Sequence, residues 1–372
     1  MKVLHIITGL NNGGAEGVLY RLVVNDKINE HIVISMMDIG KYGPLLVEQG
    51  IKVYCLEMSI GKLSLPSIIR LYRIIKKNKP DIVQTWMYHA DLIGGGVARI
   101  AGVKKIFWNI RHSNFDKKYT KNSTIKIAKL CGKLSHIIPK KIICCAEGAV
   151  SVHTELGYLK DKFIIIGNGY DLDKFKIDNN ARQQVRTNLE IGAYPVLGMV
   201  GRYDPQKNHK GLIEALNIVK KRGYRFDLVL VGRDLNARNE VLVKEIRELN
   251  LESQVHLLDQ RNDIPDIMNA LDFHILSSAY GEGFPNVIAE AMACGIPCIA
   301  TDLGDSKVII GNLGHIVSIN NKVDLSNSII KMLEEMKNKD VWDKYRDKIR
   351  LHIEENFGLD TMIKKYNSIW EI

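Results

Sequence analysis

Short β-branched apolar runs alternate with longer stretches of helical spacing along the whole chain. The first run, Lys2-Val3-Leu4-His5-Ile6-Ile7, ends at Thr8-Gly9, and a glycine-rich loop, TGLNNGGAEG, leads from it into a predicted helix over 18–24. Similar runs predict strands over 31–36, 52–56, 81–85, 105–110, 142–145 and 163–166. Helices are predicted over 66–77 and from near Asp91. A second series opens with a strand over 195–200 and a helix beginning near Lys210 or Gly211, and continues with strands over 227–231, 254–258 and 272–277. A short helix over 264–270, another over 287–294 and a buried strand over 298–300 complete it. Strands alternating with helices at this spacing predict an α/β protein with parallel sheets covered on both faces. Ligands bind such sheets beyond the carboxyl ends of the strands. Between the two series, Gly167-Asn168-Gly169-Tyr170-Asp171 reads as a junction, giving domains 1–169 and 170–354. The rest is helical, and Leu359, Met362, Ile363, Tyr366 and Ile369 set the apolar stripe of a terminal helix over 355–372.

Length agrees with this division, since 372 residues exceed the usual size of one core. No apolar run reaches the roughly 18 residues of a membrane span, and MKVLHIITGL enters glycine too soon for a signal peptide. The expectation is a cytoplasmic protein. Six scattered cysteines without a C-x-x-C pair read as core residues rather than disulfides or a zinc site. A net charge of +10 asks for an acidic partner. The excess is local, with eleven basic residues against Asp116 alone between Lys104 and Lys141. Interleaved Ile125, Ile127, Ala128, Leu130 and Leu134 give that stretch an apolar and a cationic side. It reads either as a helix lying on an anionic membrane surface at the inner face of the cell membrane or as a solvated basic face. Nucleic acid is not expected as a partner, because few aromatics interleave and no binding motif is present.

The candidate chemistry concentrates in GEGFPNVIAEAMACGIPCIATD, 281–302. Two glycines feed a helix that Asn286 is placed to cap, and such an end presents free N–H groups and a positive dipole to a phosphate. Glu282 in the loop and Glu290 about one turn into the helix bracket that end; the alternative is an ordinary core helix with two surface glutamates. In VGRYDPQKNHKGLIEAL, Arg202 and Lys207 sit in a strand-to-helix loop where two cations can neutralise a diphosphate. The glycines at 9, 13, 14 and 17 do not match G-x-G-x-x-G, and no acidic residue ends the second strand, so a dinucleotide site is not expected. They serve either a ligand or a loop that needs positive φ. His89 follows the 81–85 strand, and Arg111-His112 follows the 105–110 strand, so both lie on the ligand-binding edge.

The 281–302 segment and 201–210 resemble the donor-binding motifs of retaining family-4 glycosyltransferases, and the likeness extends more weakly over the rest of the chain. That resemblance implies the GT-B fold, two doubly wound Rossmann-like domains facing across a cleft, with the terminal helix crossing back to the first. It implies retaining transfer of a sugar from a nucleotide-sugar, UDP-sugar favoured, to a hydroxyl of a saccharide acceptor, lipid-linked or soluble, in bacterial surface polysaccharide synthesis. Glu290 would hold the ribose and Glu282 would lie near the donor sugar, with Gly283, Phe284, Pro285 and Asn286 offering backbone groups. Arg202 and Lys207 would stabilise the leaving diphosphate. Gly13 and Gly14 would close over it, His89 would contact the donor, and Leu258 would open the base-binding loop. Arg111 and His112 would meet the acceptor. Neither a cofactor nor a metal is expected. Where the family often has a glycine-acid-glycine turn, this chain has Gly232-Arg233-Asp234, which leaves the base open. The competing readings are a nucleotide-sugar epimerase or phosphorylase on the same fold, or a non-catalytic sugar- or lipid-binding scaffold.

Overall fold

A computed structural model describes residues 1–11, 13–59, 64–111 and 122–372. It contains two compact units, Met1–Gly169 with Leu359–Ile372, and Tyr170–Gly358.

In the first unit seven strands form one sheet: β1 (Lys2–Ile7), β2 (Glu30–Ser35), β3 (Lys52–Cys55), β4 (Ile82–Trp86), β5 (Lys105–Ile110), β6 (Lys141–Cys144) and β7 (Phe163–Ile165). Their order is β3-β2-β1-β4-β5-β6-β7, and every pairing is parallel. Helices α1 (Gly14–Asn25), α2 (Tyr42–Glu48), α3 (Leu65–Asn78), α4 (Gly95–Ile100), α5 (Asn122–Leu134) and α6 (Glu147–Glu155) connect them. Central strands covered on both faces are buried along their length, and β4 is buried at all five positions, its polar Gln84 and Thr85 side chains donating to backbone carbonyls. The strand order reverses between β1 and β4, so the loops after these two diverge and leave a crevice at the sheet's carboxyl edge. Beyond β4 the chain enters α4 through a π-helical turn, Ala90–Gly94, where the sequence predicts a regular helix.

The structure corrects the two-sided reading of α5. Its inner face is made of Ala128, Cys131 and Gly132, buried on the unit itself. A Cβ at Gly132 would lie 2.4 Å from the Leu156 carbonyl oxygen, so that face is packed too closely to be free for a membrane. Lys126, Lys129, Lys133 and Leu130 face solvent.

The second unit holds β8 (Val196–Val200), β9 (Asp227–Val231), β10 (Val255–Leu257), β11 (Phe273–Leu276), β12 (Cys298–Thr301) and β13 (Gly314–Val317), again all parallel. Its helices are α7 (Asn179–Asn188), α8 (His209–Lys221), α9 (Glu240–Glu248), α10 (Ile264–Ala270), α11 (Asn286–Ala293), α12 (Ser306–Ile310), α13 (Lys322–Glu335) and α14 (Lys339–Phe357). The order β10-β9-β8-β11-β12-β13 places the reversal between β8 and β11. One core, with Leu216, Phe273 and Ile329, covers one side of this sheet; another, with Met268, Met292 and Ile349, includes the inner face of α11.

The last helix, α15 (Leu359–Glu371), belongs to the first unit. Met362, Tyr366 and Trp370 are buried there among Ile7, Trp86 and Phe107. The Trp370 indole donates to Gln84 Oε1 at 3.2 Å, and Asn109 Nδ2 donates to the Tyr366 hydroxyl at 2.6 Å. Residues 355–357 continue α14 and Gly358 separates the two helices, so the returning helix begins four residues later than its apolar spacing predicts. All six cysteines are free thiols, and five are buried.

Candidate functional site

Because β8 and β11 are neighbours at the reversal point, the loops that follow them meet, although they are some 75 residues apart in sequence. After β8, Asp204 accepts from the Gln206 N–H at 2.9 Å and folds Pro205–Lys207 into a 3₁₀ turn. Asn208 then takes a left-handed conformation, φ 54°, and caps α8 by accepting from the Gly211 N–H at 3.1 Å. The Ala279 N–H donates to the Gln206 carbonyl at 2.8 Å, and the Ser277 hydroxyl donates to the Lys207 carbonyl at 3.0 Å. These bonds hold the two loops in register.

Within that frame the Lys207 ammonium donates to Glu282 Oε1 at 2.7 Å. The Ser278 hydroxyl donates to the same oxygen at 2.6 Å, and Gln206 Nε2 lies 3.5 Å from it. Only 14% of the Lys207 side chain and 9% of that of Glu282 are exposed, which makes this a positioned pair rather than a mobile surface contact. Arg202 is looser: half exposed, it donates to Asp204 Oδ2 at 3.0 Å and approaches Gln206 Oε1 at 3.4 Å. Beneath the loops, buried His274 accepts from the Val200 N–H at 3.2 Å. Burial, with the Lys207 ammonium adding to it, lowers its pKa to about 3. His209, the first residue of α8, is lowered to about 4 mainly by burial.

The Gly281–Pro285 segment is braced by the loop after β12, which sequence reasoning passed over. The Asp305 N–H donates to the Gly283 carbonyl at 2.7 Å. Gly304 has φ +54°, and a Cβ there would lie 2.2 Å from the Gly283 oxygen, so the position requires glycine twice over. Phe284 packs edge-on against Phe357, and Pro285 is buried.

The start of α11 differs from the sequence expectation. Pro285, not Asn286, is the N-cap, and no side chain caps the helix. Asn286 is its first residue, and its Oδ1 accepts from the Tyr170 hydroxyl at 2.6 Å. The carbonyl end is closed by cations, with Arg350 donating to the Ala293 oxygen at 2.6 Å and Arg346 to the Gly295 oxygen at 3.1 Å. Anchored at both ends, α11 directs its positive end at the loop that carries Glu282. Glu290 stands half-buried one turn further along.

The candidate base loop is stitched to the turn after β9. The Leu258 N–H donates to Leu230, Gly232 to the Asp259 carbonyl at 2.9 Å, and Asp259 to the Leu235 carbonyl at 2.8 Å. The half-buried Leu258 therefore spends its N–H on the sheet and leaves only its carbonyl for a base. A Cβ at Gly232 would lie 2.2 Å from the Gly201 oxygen, so the glycine of Gly232-Arg233-Asp234 serves the close approach of two loops.

In the first unit the reversal point brings together Thr8, after β1, and His89, after β4. His89 is half-buried, and burial lowers its pKa, which favours the neutral imidazole. None of Gly9, Gly13, Gly14 and Gly17 has positive φ, which overturns the conformational reading of that loop. At Gly13 a Cβ would lie 2.3 Å from Glu16 Oε2, the movable end of a side chain that folds back over the turn. Gly14 has open space around it. The structure also corrects the acceptor reading of Arg111. Its guanidinium donates to Asn168 Oδ1 at 2.5 Å and to the Tyr366 hydroxyl at 2.7 Å, and lies 5.2 Å from the Trp86 ring centroid. It therefore fastens α15 to the sheet. His112 lies outside the described residues.

Among the described residues, no group of three or more His, Cys, Asp or Glu side chains forms a metal cluster, and no helix is long and apolar enough to cross a membrane. The glycosyl transferases group 1 model matches residues 181–349, and the glycosyltransferase family 4 model matches residues 13–174. The UDP-Gal:α-D-GlcNAc-diphosphoundecaprenol α-1,3-galactosyltransferase of Escherichia coli is 29% identical over 289 residues, 76% of this chain and 73% of that protein. The N,N'-diacetylbacillosaminyl-diphospho-undecaprenol α-1,3-N-acetylgalactosaminyltransferase of Campylobacter jejuni is 26% identical over 371 residues, 95% of this chain and 93% of that one. Among solved structures, Anabaena HepE in complex with UDP superposes with a TM-score of 0.85 at 22% identity, covering 99% of both chains. With its two doubly wound parallel-sheet units and a family model matching in each, this chain belongs to the family-4 glycosyltransferases of GT-B fold and is a glycosyltransferase.

Proposed function

We propose that the protein transfers a sugar, with retention of anomeric configuration, from a UDP-sugar to a hydroxyl of a lipid-linked saccharide in bacterial surface polysaccharide synthesis. The observation that carries this reading is the Lys207–Glu282 pair, fixed at the β8/β11 reversal point beside the positive end of α11. Charge develops on the diphosphate as the bond to the sugar breaks, and donors already in place there cost no reorganisation. Lys207 supplies a buried, oriented ammonium, Arg202 a more mobile guanidinium, and the first turn of α11 its backbone N–H groups. Glu282, held by Ser278 and Lys207, presents its carboxylate beside the sugar, and Glu290 accepts from ribose hydroxyls further along the helix. The second unit takes the donor and the first unit the acceptor, with His89 and the Gly13-Gly14 turn at the edge of its sheet. Neutral His89 can donate or accept a hydrogen bond without adding charge. The two relatives named above carry diphosphoundecaprenol acceptors in their names, and HepE was crystallised with UDP, which favours the lipid-linked acceptor and the uridine base.

The test is a panel of nucleotide-sugars incubated with and without a polyprenyl-diphosphate saccharide, followed by NMR of the anomeric centre in the product. UDP-sugar consumption that depends on the lipid saccharide and gives the donor's anomer is expected. An inverted product, or turnover without an acceptor, would overturn the reading.

A further inference from the structure

The first unit contains an apolar cavity of about 520 Å³, lined in part by Met36, Met37, Met58, Ile68, Val97 and Ile127. This is the size of a small-molecule site. One end lies at the carboxyl edge of the sheet, where Thr8 and His89 supply polar atoms, and the buried Thr8 hydroxyl has no hydrogen-bond partner among the described residues. The other end reaches Ile100 on α4, a large aliphatic side chain that is 78% exposed. The π-helical turn after β4 contributes Leu92 and Ile93 to the wall, and wide turns of this kind recur at functional sites. Ile127 points inward from α5 while Lys126 and Lys129 of the same helix face solvent.

A ligand matching these features is amphiphilic, with a long flexible apolar chain and a polar head that accepts hydrogen bonds from Thr8 and His89. Methionine-rich walls adapt to a chain of variable conformation better than to a rigid ring system. We infer that this cavity seats the first isoprene units of a polyprenyl diphosphate, the lipid part of the acceptor, with its diphosphate near His89 and Thr8. The inference rests on the lipid-linked acceptor proposed above and adds where the lipid is read. The enzyme then selects its acceptor by the chain as well as by the saccharide.

Gly96 provides a clean probe, because it lines the cavity and a Cβ there meets no atom within 4 Å. Gly96→Phe places a ring in the cavity from a backbone position that accepts a Cβ freely, and Ile100→Glu places a charge at the exposed mouth. The measurement is binding of a fluorescent farnesyl diphosphate to the full-length protein in solution, with UDP affinity measured in parallel. Each buried methylene is worth about a fourfold change in affinity, so both variants should bind the probe about tenfold or more weakly, with UDP affinity unchanged. Geranylgeranyl diphosphate should displace the probe. Displacement by inorganic diphosphate at equal concentration would mean that only the head is read, and displacement by dodecylphosphocholine would mean that any lipid chain suffices; either overturns the inference. So would absence of binding, or equal binding by the variants. Because the readout is binding and not transfer, a cavity that fails this test leaves the transfer assay standing. Transfer that fails while prenyl binding holds would sink the catalytic reading alone.

Discussion

The Lys207 ammonium and the Glu282 carboxylate lie 2.7 Å apart in the second unit, each almost fully shielded from solvent. Such a pair costs desolvation on both sides, and it persists here because the Ser278 hydroxyl and Gln206 amide also serve the carboxylate. If that ammonium matters most when the diphosphate departs, Lys207→Ala should lower the transfer rate by about 10²- to 10³-fold while changing the donor's KM little. Steady-state kinetics over a donor series decide this. A raised KM with kcat intact would make Lys207 a ground-state binding residue only.

Glu290 is assigned to ribose, away from the reacting bond. Glu290→Gln should weaken binding of free UDP by roughly 1.5–3 kcal/mol, the range for a hydrogen bond to a charged group. Calorimetric titration with UDP gives the answer directly, and an unchanged affinity would remove Glu290 from the site.

The parallel sheets were legible because buried central strands are rich in β-branched and aromatic residues, so β4, β5 and β9 stand out from sequence within a residue or two, even with buried Gln84, Thr85 and Asn109 in the first two. The loops carrying Arg202, Lys207 and Glu282 were legible as well, since glycine and proline punctuate them. What the sequence could not reveal is partner choice over long separations. Asn286 has the chemistry of a helix cap, yet its oxygen goes to Tyr170, 116 residues away. Arg111 looks like an anion ligand beside His112, but its partners are Asn168 and Tyr366, brought in by the returning helix. Gly13 looks like a phosphate turn, while its lack of a side chain makes room for the Glu16 carboxylate. In each case local chemistry fixed what the group can do, and tertiary packing decided with whom.

Five histidines, His5, His89, His209, His274 and His315, have their pKa displaced downward, chiefly by burial. Their neutral forms are built into the fold. Above the unfolded value near 6.5 both states are neutral and stability is complete. As pH falls below it, the unfolded chain takes up protons that the native state refuses, and stability drops until the native groups titrate, near 4 for His209 and 3 for His274. Each such group contributes a slope of about 1.4 kcal/mol per pH unit. Urea denaturation should therefore show a lower midpoint at pH 5 than at pH 7.5, and His209→Phe should shrink the difference. A midpoint constant over that interval would mean that the native histidines accept protons.

The leaving-group charge has been assigned to Arg202, Lys207 and the first turn of α11. Transfer should accordingly survive EDTA, assayed after exhaustive dialysis. Activity lost in the chelator and restored by magnesium or manganese would show that these groups are insufficient and that a divalent ion shares the diphosphate.

The basic stretch of the first unit bears on where the acceptor is met. With the small-residue face of α5 committed to the core, attachment to a membrane cannot come from burying that face in lipid, and the exposed lysines make charge the main contribution to test. Lys126, Lys129 and Lys133 are exposed on one helix, and each cation near an anionic surface contributes about 1 kcal/mol. Binding to vesicles containing anionic lipid should thus be reversible. It should also weaken with salt, because the Debye length falls from about 10 Å at 0.1 M to about 3 Å at 1 M. Replacing the three lysines by glutamate should release the protein while leaving UDP affinity unchanged, since no donor residue named above lies on α5. Adding Lys117, Lys118 and Lys121, which lie outside the described residues, to the substitutions separates the helix from the segment before it. Co-sedimentation decides between the alternatives: equal pelleting with neutral and anionic vesicles, or no change in either variant, would make this a solvated basic face. The acceptor would then have to be met in solution rather than at a membrane.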